Sequence, residues 1–231
     1  MTKTKGSKMQ TDITKTTVGE LIDFGTTWDF GATPDASDIQ IPKLMLMQPL
    51  SDLVTTGKAK SGDIVNSLEG NVVSSESVDV IVFDSYKTVQ TFIDGEYEKT
   101  EAWNTEIGNL PYEETLQGKK INRTHVLNFY VLLKSEIATD TAFPFVVSFK
   151  RTSMQTGRKL MTLITKMRMF KKPSCAAVFR LGRTLEKNDK GSYYVWTIDQ
   201  KESATMNDVV AAKLWVDQLK TKKAVVDDKD I

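Results

Sequence analysis

FPFVVSFKRTSMQTGRKLMTLITKMRMF, residues 143–170, changes its period in the middle. Up to Lys150 the apolar residues alternate, so Phe143, Phe145, Val147 and Phe149 share one face of an extended chain. From Ser153 to Phe170 they recur at Leu160, Leu163, Ile164 and Met167, the i, i+3, i+4, i+7 pattern of a helix buried on one side. Thr152 or Ser153 can cap that helix, and Lys171, Lys172 and Pro173 end it, the cations suiting the C-terminal end of the dipole. Pro144 places the strand's start near an edge or a sheet end.

Outward from this junction the chain reads as strands. Upstream, HVLNFYVLLK (residues 125–134) is one strand and Val78–Phe83, apolar almost throughout, is another buried on both faces. Ile64–Leu68 is a short strand closed by a turn at Glu69-Gly70-Asn71, and Ile41–Met47 an edge strand or extended lead-in because of Pro42. Downstream come strands Ala176–Thr184 and Ser192–Ile198, joined around Asn188–Gly191. A last helix, Asn207–Lys220, carries Val209, Ala212, Val216 and Leu219 on one stripe. A single helix between strands excludes a doubly wound sheet. The order predicts a mainly β fold: an OB-fold-like five-stranded Greek-key barrel over residues 41–199, with a central helix and a C-terminal helix. A two-layer α+β sheet is the competing arrangement. Residues 1–40 read as a flexible N-terminal arm, residues 84–118 as an acidic insertion with a hairpin signal at Asp94-Gly95, and residues 200–231 as the C-terminal helix and a short acidic tail, VVDDKDI.

Composition removes several function classes. The 231 residues hold one Cys and one His. Cys175 alone cannot build a disulfide framework or a multi-Cys zinc site, and His125 alone excludes a two-His metal motif. His125 lies within an apolar strand, which favours a packing role over a triad. Thr56-Gly57-Lys58 fails as a phosphate loop because Asp52 and Ala59 stand where a glycine and a hydroxyl are required. Asp63, Asp79 and Asp84 lie near strand ends, which keeps a metal-dependent nuclease as a minor alternative. No apolar run is long enough to span a membrane, and MTKTKGSKMQTDITK lacks a signal peptide's apolar stretch, so the expected setting is the reducing cytoplasm. No enzyme activity, cofactor or metal is expected.

Charge is more informative. The chain as a whole carries net +1, yet residues 119–190 hold 16 Lys and Arg against 4 Asp and Glu, while residues 63–118 hold 2 against 12. Such separation points to a polyanion-binding surface, or to two regions that pair with each other, within one chain or between two as a homodimer. Aromatic residues interleave with the cations, as a single-strand binder needs: cations for the phosphates, ring faces for the bases. Candidate contacts are Lys150, Arg151, Arg158 and Lys159 at the strand–helix junction, Lys166 along the helix, Arg180 and Arg183 on the next strand, and Tyr193, Tyr194 and Trp196 on the last. Gly157 would let a ligand backbone approach the junction closely.

Three segments carry a resemblance: IPKLMLMQPLSD with GKAKSGDIVN, then FVVSFKRTSMQTGRKLMTLI, then KGSYYVWTI. In pattern and order, over residues 41–68 and 143–199, the chain resembles bacteriophage-encoded single-stranded-DNA-binding proteins. The resemblance implies an OB-fold, cooperative or dimeric coating of single-stranded DNA, no catalysis, and an acidic tail that recruits replication or recombination proteins. It casts Lys150, Arg151, Arg158 and Lys159 as backbone contacts and Tyr193, Tyr194 and Trp196 as the aromatic strand. The tail departs from that pattern, being short, interrupted by Lys229 and ending in Ile231 rather than in an aromatic residue. A competing function of another class is a phage-encoded inhibitor whose basic face docks an acidic protein.

Overall fold

The computed structural model describes residues 40–189, 191–221 and 225–226. The predicted N-terminal arm, Lys190 of the last turn and the end of the acidic tail lie outside these residues. The chain begins with β1 (Gln40–Ile41), β2 (Lys43–Leu46), α1 (Asp52–Thr55), β3 (Ile64–Asn66) and β4 (Val72–Ser74). Next come β5 (Val78–Ile93), β6 (Glu96–Ala102), α2 (Thr105–Gly108), β7 (Glu113–Leu116) and β8 (Lys119–Leu133). The last part holds α3 (Lys134–Ile137), β9 (Pro144–Lys150), α4 (Met154–Met169), β10 (Ala177–Asn188), β11 (Gly191–Ser203), α5 (Met206–Thr221) and β12 (Val225–Val226).

The fold is mainly β, as expected, but the strand count is not. Ten strands share one open sheet, ordered β11-β10-β5-β8-β9-β2-β3-β4, with β6 added to β5 and β7 to β8. Every pairing in it is antiparallel except β2 with β9. The residues from Lys43 to Ser74 therefore extend the sheet beyond β9. Between β2 and β11 no ladder forms. One side chain spans the gap: the Gln48 amide donates to the Tyr194 carbonyl and accepts from the Tyr194 N–H, both at 2.9 Å.

The alternation read from the sequence decides which face is buried. Leu127, Phe129, Val131 and Leu133 of β8 and Phe145, Val147 and Phe149 of β9 point inward, where Leu160, Ile164 and Met167 of α4 cover them. Phe129 and Phe149 meet edge to face, their centroids 5.6 Å apart. Helix α4 approaches so closely that a Cβ on Gly157 would lie 2.6 Å from the Phe149 Cβ. That glycine serves helix-to-strand packing, which corrects its expected role beside a ligand. The opposite face of β5, β8 and β10, at Ile81, Phe83, Leu132 and Val178, is covered by Val209, Ala212, Val216 and Leu219 of α5.

The acidic stretch 84–118 proves to be part of the main sheet. Strand β5 continues past Phe83 to Ile93 and stays paired with β8 as far as Ile121. Both outer strands return through two-residue turns, Asp94-Gly95 (φ 52° and 92°) and Gln117-Gly118 (φ 51° and 80°). Left-handed backbone at both turn positions is the hairpin geometry that matches strand twist. We call this four-stranded extension, β6-β5-β8-β7, the wing.

Candidate nucleic-acid interface

Strand β8 has a notch in its edge. It pairs with β9 up to Val126↔Lys150 and with β7 only from Asn122↔Glu113. Arg151 follows β9 directly and occupies this notch, its guanidinium 5.5 Å from the centre of the Phe92 ring. Its φ of 48° is left-handed, a conformation that costs a non-glycine residue about 1–3 kcal/mol. The strain sits where the strand must turn into a 3₁₀ turn, Arg151–Ser153, and then into α4. Neither Thr152 nor Ser153 caps α4 with its side chain, contrary to expectation.

Two grooves meet at Arg151, on opposite faces of the sheet. The outer groove, about 440 Å³, is lined by Lys43–Gln48 and by Ser148, Lys150, Arg151, Tyr193 and Tyr194. Lys150 reaches Gln90 at 3.4 Å, and the Arg183 guanidinium stacks over the Tyr194 ring at 5.0 Å while donating to the Ser61 carbonyl at 3.2 Å. Gly62, at φ 90°, leaves the room: a Cβ there would lie 1.7 Å from Arg183 Nη1.

The inner cleft is larger, about 740 Å³, and lies between the wing and the start of α4. Lys87, Arg123, Arg151 and Arg158 line it, together with Trp103, Tyr112 and His125. Lys87 Nζ stands 5.0 Å from the Trp103 ring centre, and Tyr112 lies against His125 with centroids 4.9 Å apart. Trp103 is 41% exposed and Tyr112 58%. His125 Nε2 is buried and has no hydrogen-bond partner among the described residues. Burial first, then the nearby charges of Lys87 and Arg158, hold this imidazole below its usual pKa of 6.5.

The ten predicted contacts divide. Lys150, Arg151, Tyr193 and Tyr194 line the outer groove, with Arg183 stacked beside them; Arg151 and Arg158 line the inner cleft. Lys159 instead fastens α4 to β11, donating to the Ile198 carbonyl at 2.6 Å and to Asp199 at 2.9 Å. Arg180 is held in a two-bond pair by Asp79, which also accepts from Lys201. Lys166 is exposed on α4 and lines neither groove. Trp196 also lines the outer groove but is only 5% exposed and packs against the core.

Part of the charge separation is spent internally. Arg123 pairs with Glu114, Lys120 with Glu113 and Arg180 with Asp79. The pair of cations beside Asp79 holds its carboxyl down at about 2. Asp63 accepts from the Lys60 N–H and Asp84 from the Ser85 N–H, so the three aspartates considered for a metal have separate partners. Among the described residues no group of three acidic, His or Cys side chains has metal-binding spacing. None of the helices is long and apolar enough to cross a membrane among these residues.

Sequence reasoning passed over Lys87, Trp103 and Tyr112 because they stand in a stretch of net negative charge. The signal was present, since Lys87 is one of the two cations of residues 63–118 and Trp103 an aromatic among polar neighbours. Comparison with known proteins adds one finding. Residues 26–225 match the model of a family described as Pam3 phage gp34-like protein, so the chain belongs to that family and is a phage protein. No curated protein and no solved structure matches it.

Proposed function

We propose that this member of the Pam3 phage gp34-like family is a non-catalytic protein that binds single-stranded DNA in the host cytoplasm through an OB-like barrel. The observation that carries the reading is the outer groove, where Lys150, Arg151 and Arg183 gather around Tyr193 and Tyr194. Strand order supports it. Counting β5, β8, β9, β10 and β11 as five strands, the first lies between the second and fourth, the third pairs with the second, and the fifth pairs with the fourth. Helix α4 falls between the third and fourth, as in an OB-fold. In such folds the second and third strands carry the nucleic-acid face. Here these are β8 and β9, whose outward side chains include Asn128, Ser148 and Lys150. The fit implies phosphate neutralisation plus stacking, little sequence preference, and steep loss of affinity with salt. Replication or recombination proteins would be its partners.

A gel shift with oligo-dT, with duplex and with Mg²⁺ present or absent tests this. Retention of oligo-dT without cleavage is the expected result. Cleavage that depends on Mg²⁺ would convert the protein into a nuclease, and no shift at low salt would reject DNA binding. One observation favours a second reading, an interaction protein that docks an acidic partner. At the end of α4, Met169 and Phe170 are 79% and 69% exposed, beside exposed Lys166, Arg168, Lys171 and Lys172.

A further inference from the structure

We infer that the inner cleft is a second segment of the same binding track, taking nucleotides of one strand that enters through the Arg151 notch. This rests on the DNA-binding reading above and extends it to a face of the sheet where OB-like binding would not place it. Three observations converge. The cleft holds four cations, Lys87, Arg123, Arg151 and Arg158, of which, among the described residues, only Arg123 is paired with a carboxylate, that of Glu114. Trp103 and Tyr112 stand on its wall 41% and 58% exposed, although large aromatics ordinarily bury themselves. Arg151 lines both grooves, so phosphates on the two faces lie within reach of one guanidinium.

The local chemistry suits a polynucleotide better than an isolated anion. Cations with no aromatic wall would bind phosphate without preference for a base, whereas a ring beside a cation offers a surface for the base and a charge for its phosphate. Lys87 over Trp103 is such a couple. The position of Trp103 is itself built: a Cβ on Gly108 would fall 2.2 Å from its Nε1, so the glycine of α2 makes the space in which the indole rests. His125, on the cleft lining, supplies a buried nitrogen without a partner among the described residues. A bound phosphate would offset the charges of Lys87 and Arg158 that now disfavour its protonation.

The experiment uses fluorescence anisotropy with oligo-dT of increasing length, and the ring resonances of the one histidine. Proteins compared are the parent, Trp103→Ala/Tyr112→Ala, and Trp103→Phe/Tyr112→Phe, each checked by its melting temperature. The alanine variant should lose roughly tenfold in affinity for each ring removed, with the loss confined to oligonucleotides long enough to reach the cleft. The phenylalanine variant should keep most of the binding. Oligo-dT should also shift the His125 resonances and raise the pH at which they titrate. If the parent binds oligo-dT but the alanine variant binds equally well and His125 does not respond, the inner cleft is not part of the track, and the outer groove stands alone. If the parent binds no oligo-dT, the function itself fails and this inference with it. If poly-glutamate moves the His125 resonances as oligo-dT does, and both are indifferent to the aromatic rings, the cleft belongs to an acidic protein segment instead.

Discussion

Strands β5 and β8 run through two different environments. In the halves that α4 covers, Val80, Val82, Phe129 and Val131 are at most 1% exposed, closed between the sheet and the helix. In the wing the same two strands carry Lys87, Thr88, Arg123 and His125, and line a cleft. One ladder joins the strands from Val80↔Leu133 to Ile93↔Ile121, interrupted by a bulge at Phe83 between Val82↔Val131 and Asp84↔Tyr130. A sheet can thus be stabilised at one end and specialised at the other, because backbone pairing is indifferent to which face is apolar.

Breaking the half that α4 covers should give the largest effect. Phe149→Ala should cost about 3–5 kcal/mol in urea unfolding, since Phe149 is fully buried and touches both Phe129 and α4. In the wing, Tyr112→Ala should change stability by less than about 0.5 kcal/mol. Equal losses would mean that the two halves are one cooperative core and that the contrast is false. Gly157→Ala comes next. Alanine favours an isolated helix by about 1 kcal/mol, but here its methyl would meet Phe149, and a net loss of about 1–3 kcal/mol is expected.

At the boundary, Arg151→Glu should leave the midpoint of unfolding nearly unchanged while weakening oligo-dT binding. It should also flatten the dependence of log affinity on log salt by about one for the phosphate lost. An unchanged slope would move the phosphate contacts away from the notch.

The smaller effects concern protons. Asp79 ionises at about 2 in the fold, below its usual 3.8, because Arg180 and Lys201 favour the carboxylate. Its stabilisation is present above pH 3.8 and is lost as pH falls toward 2. Asp79→Asn should cost about 1 kcal/mol at neutral pH, as a partly exposed ion pair does, and should remove that part of the acid sensitivity. His125 works in the same direction for a different reason. Its pKa is depressed in the fold, so the unfolded chain takes the proton first, and stability declines as pH falls below 6.5. His125→Gln should flatten that decline.

Much of this was legible in the residues. The period change after Lys150 located β9 and α4, and the stripes Leu160-Ile164-Met167 and Val209-Ala212-Val216 are the faces that pack. The sheet beyond five strands was not legible. The pairing of β2 with β9 joins segments about a hundred residues apart, and nothing local in Lys43–Leu46 names that partner. The hairpin at Asp94-Gly95 was legible, whereas the run of two main-sheet strands through the acidic stretch was not, because a strand is read from a pattern and a partner rather than from charge. Within the site, net charge found the basic junction but could not say which cations were already engaged. Lys159 and Arg180 look identical to Arg151 and Arg158 until the partners from β11 and β5 are in place.

The Gln48 amide makes the outer groove sit over a hinge line. A ladder resists opening because many bonds must break together; here withdrawal of one rotamer uncovers the Tyr194 N–H. In deuterated water that amide should therefore exchange by a local fluctuation, while Val195, one residue along and facing Thr184 of β10, waits for a larger opening. Breathing at this line would widen the space between β2 and β11 without disturbing the ladders on either side. The fold thereby has one place where its girth is set by the reach of a glutamine.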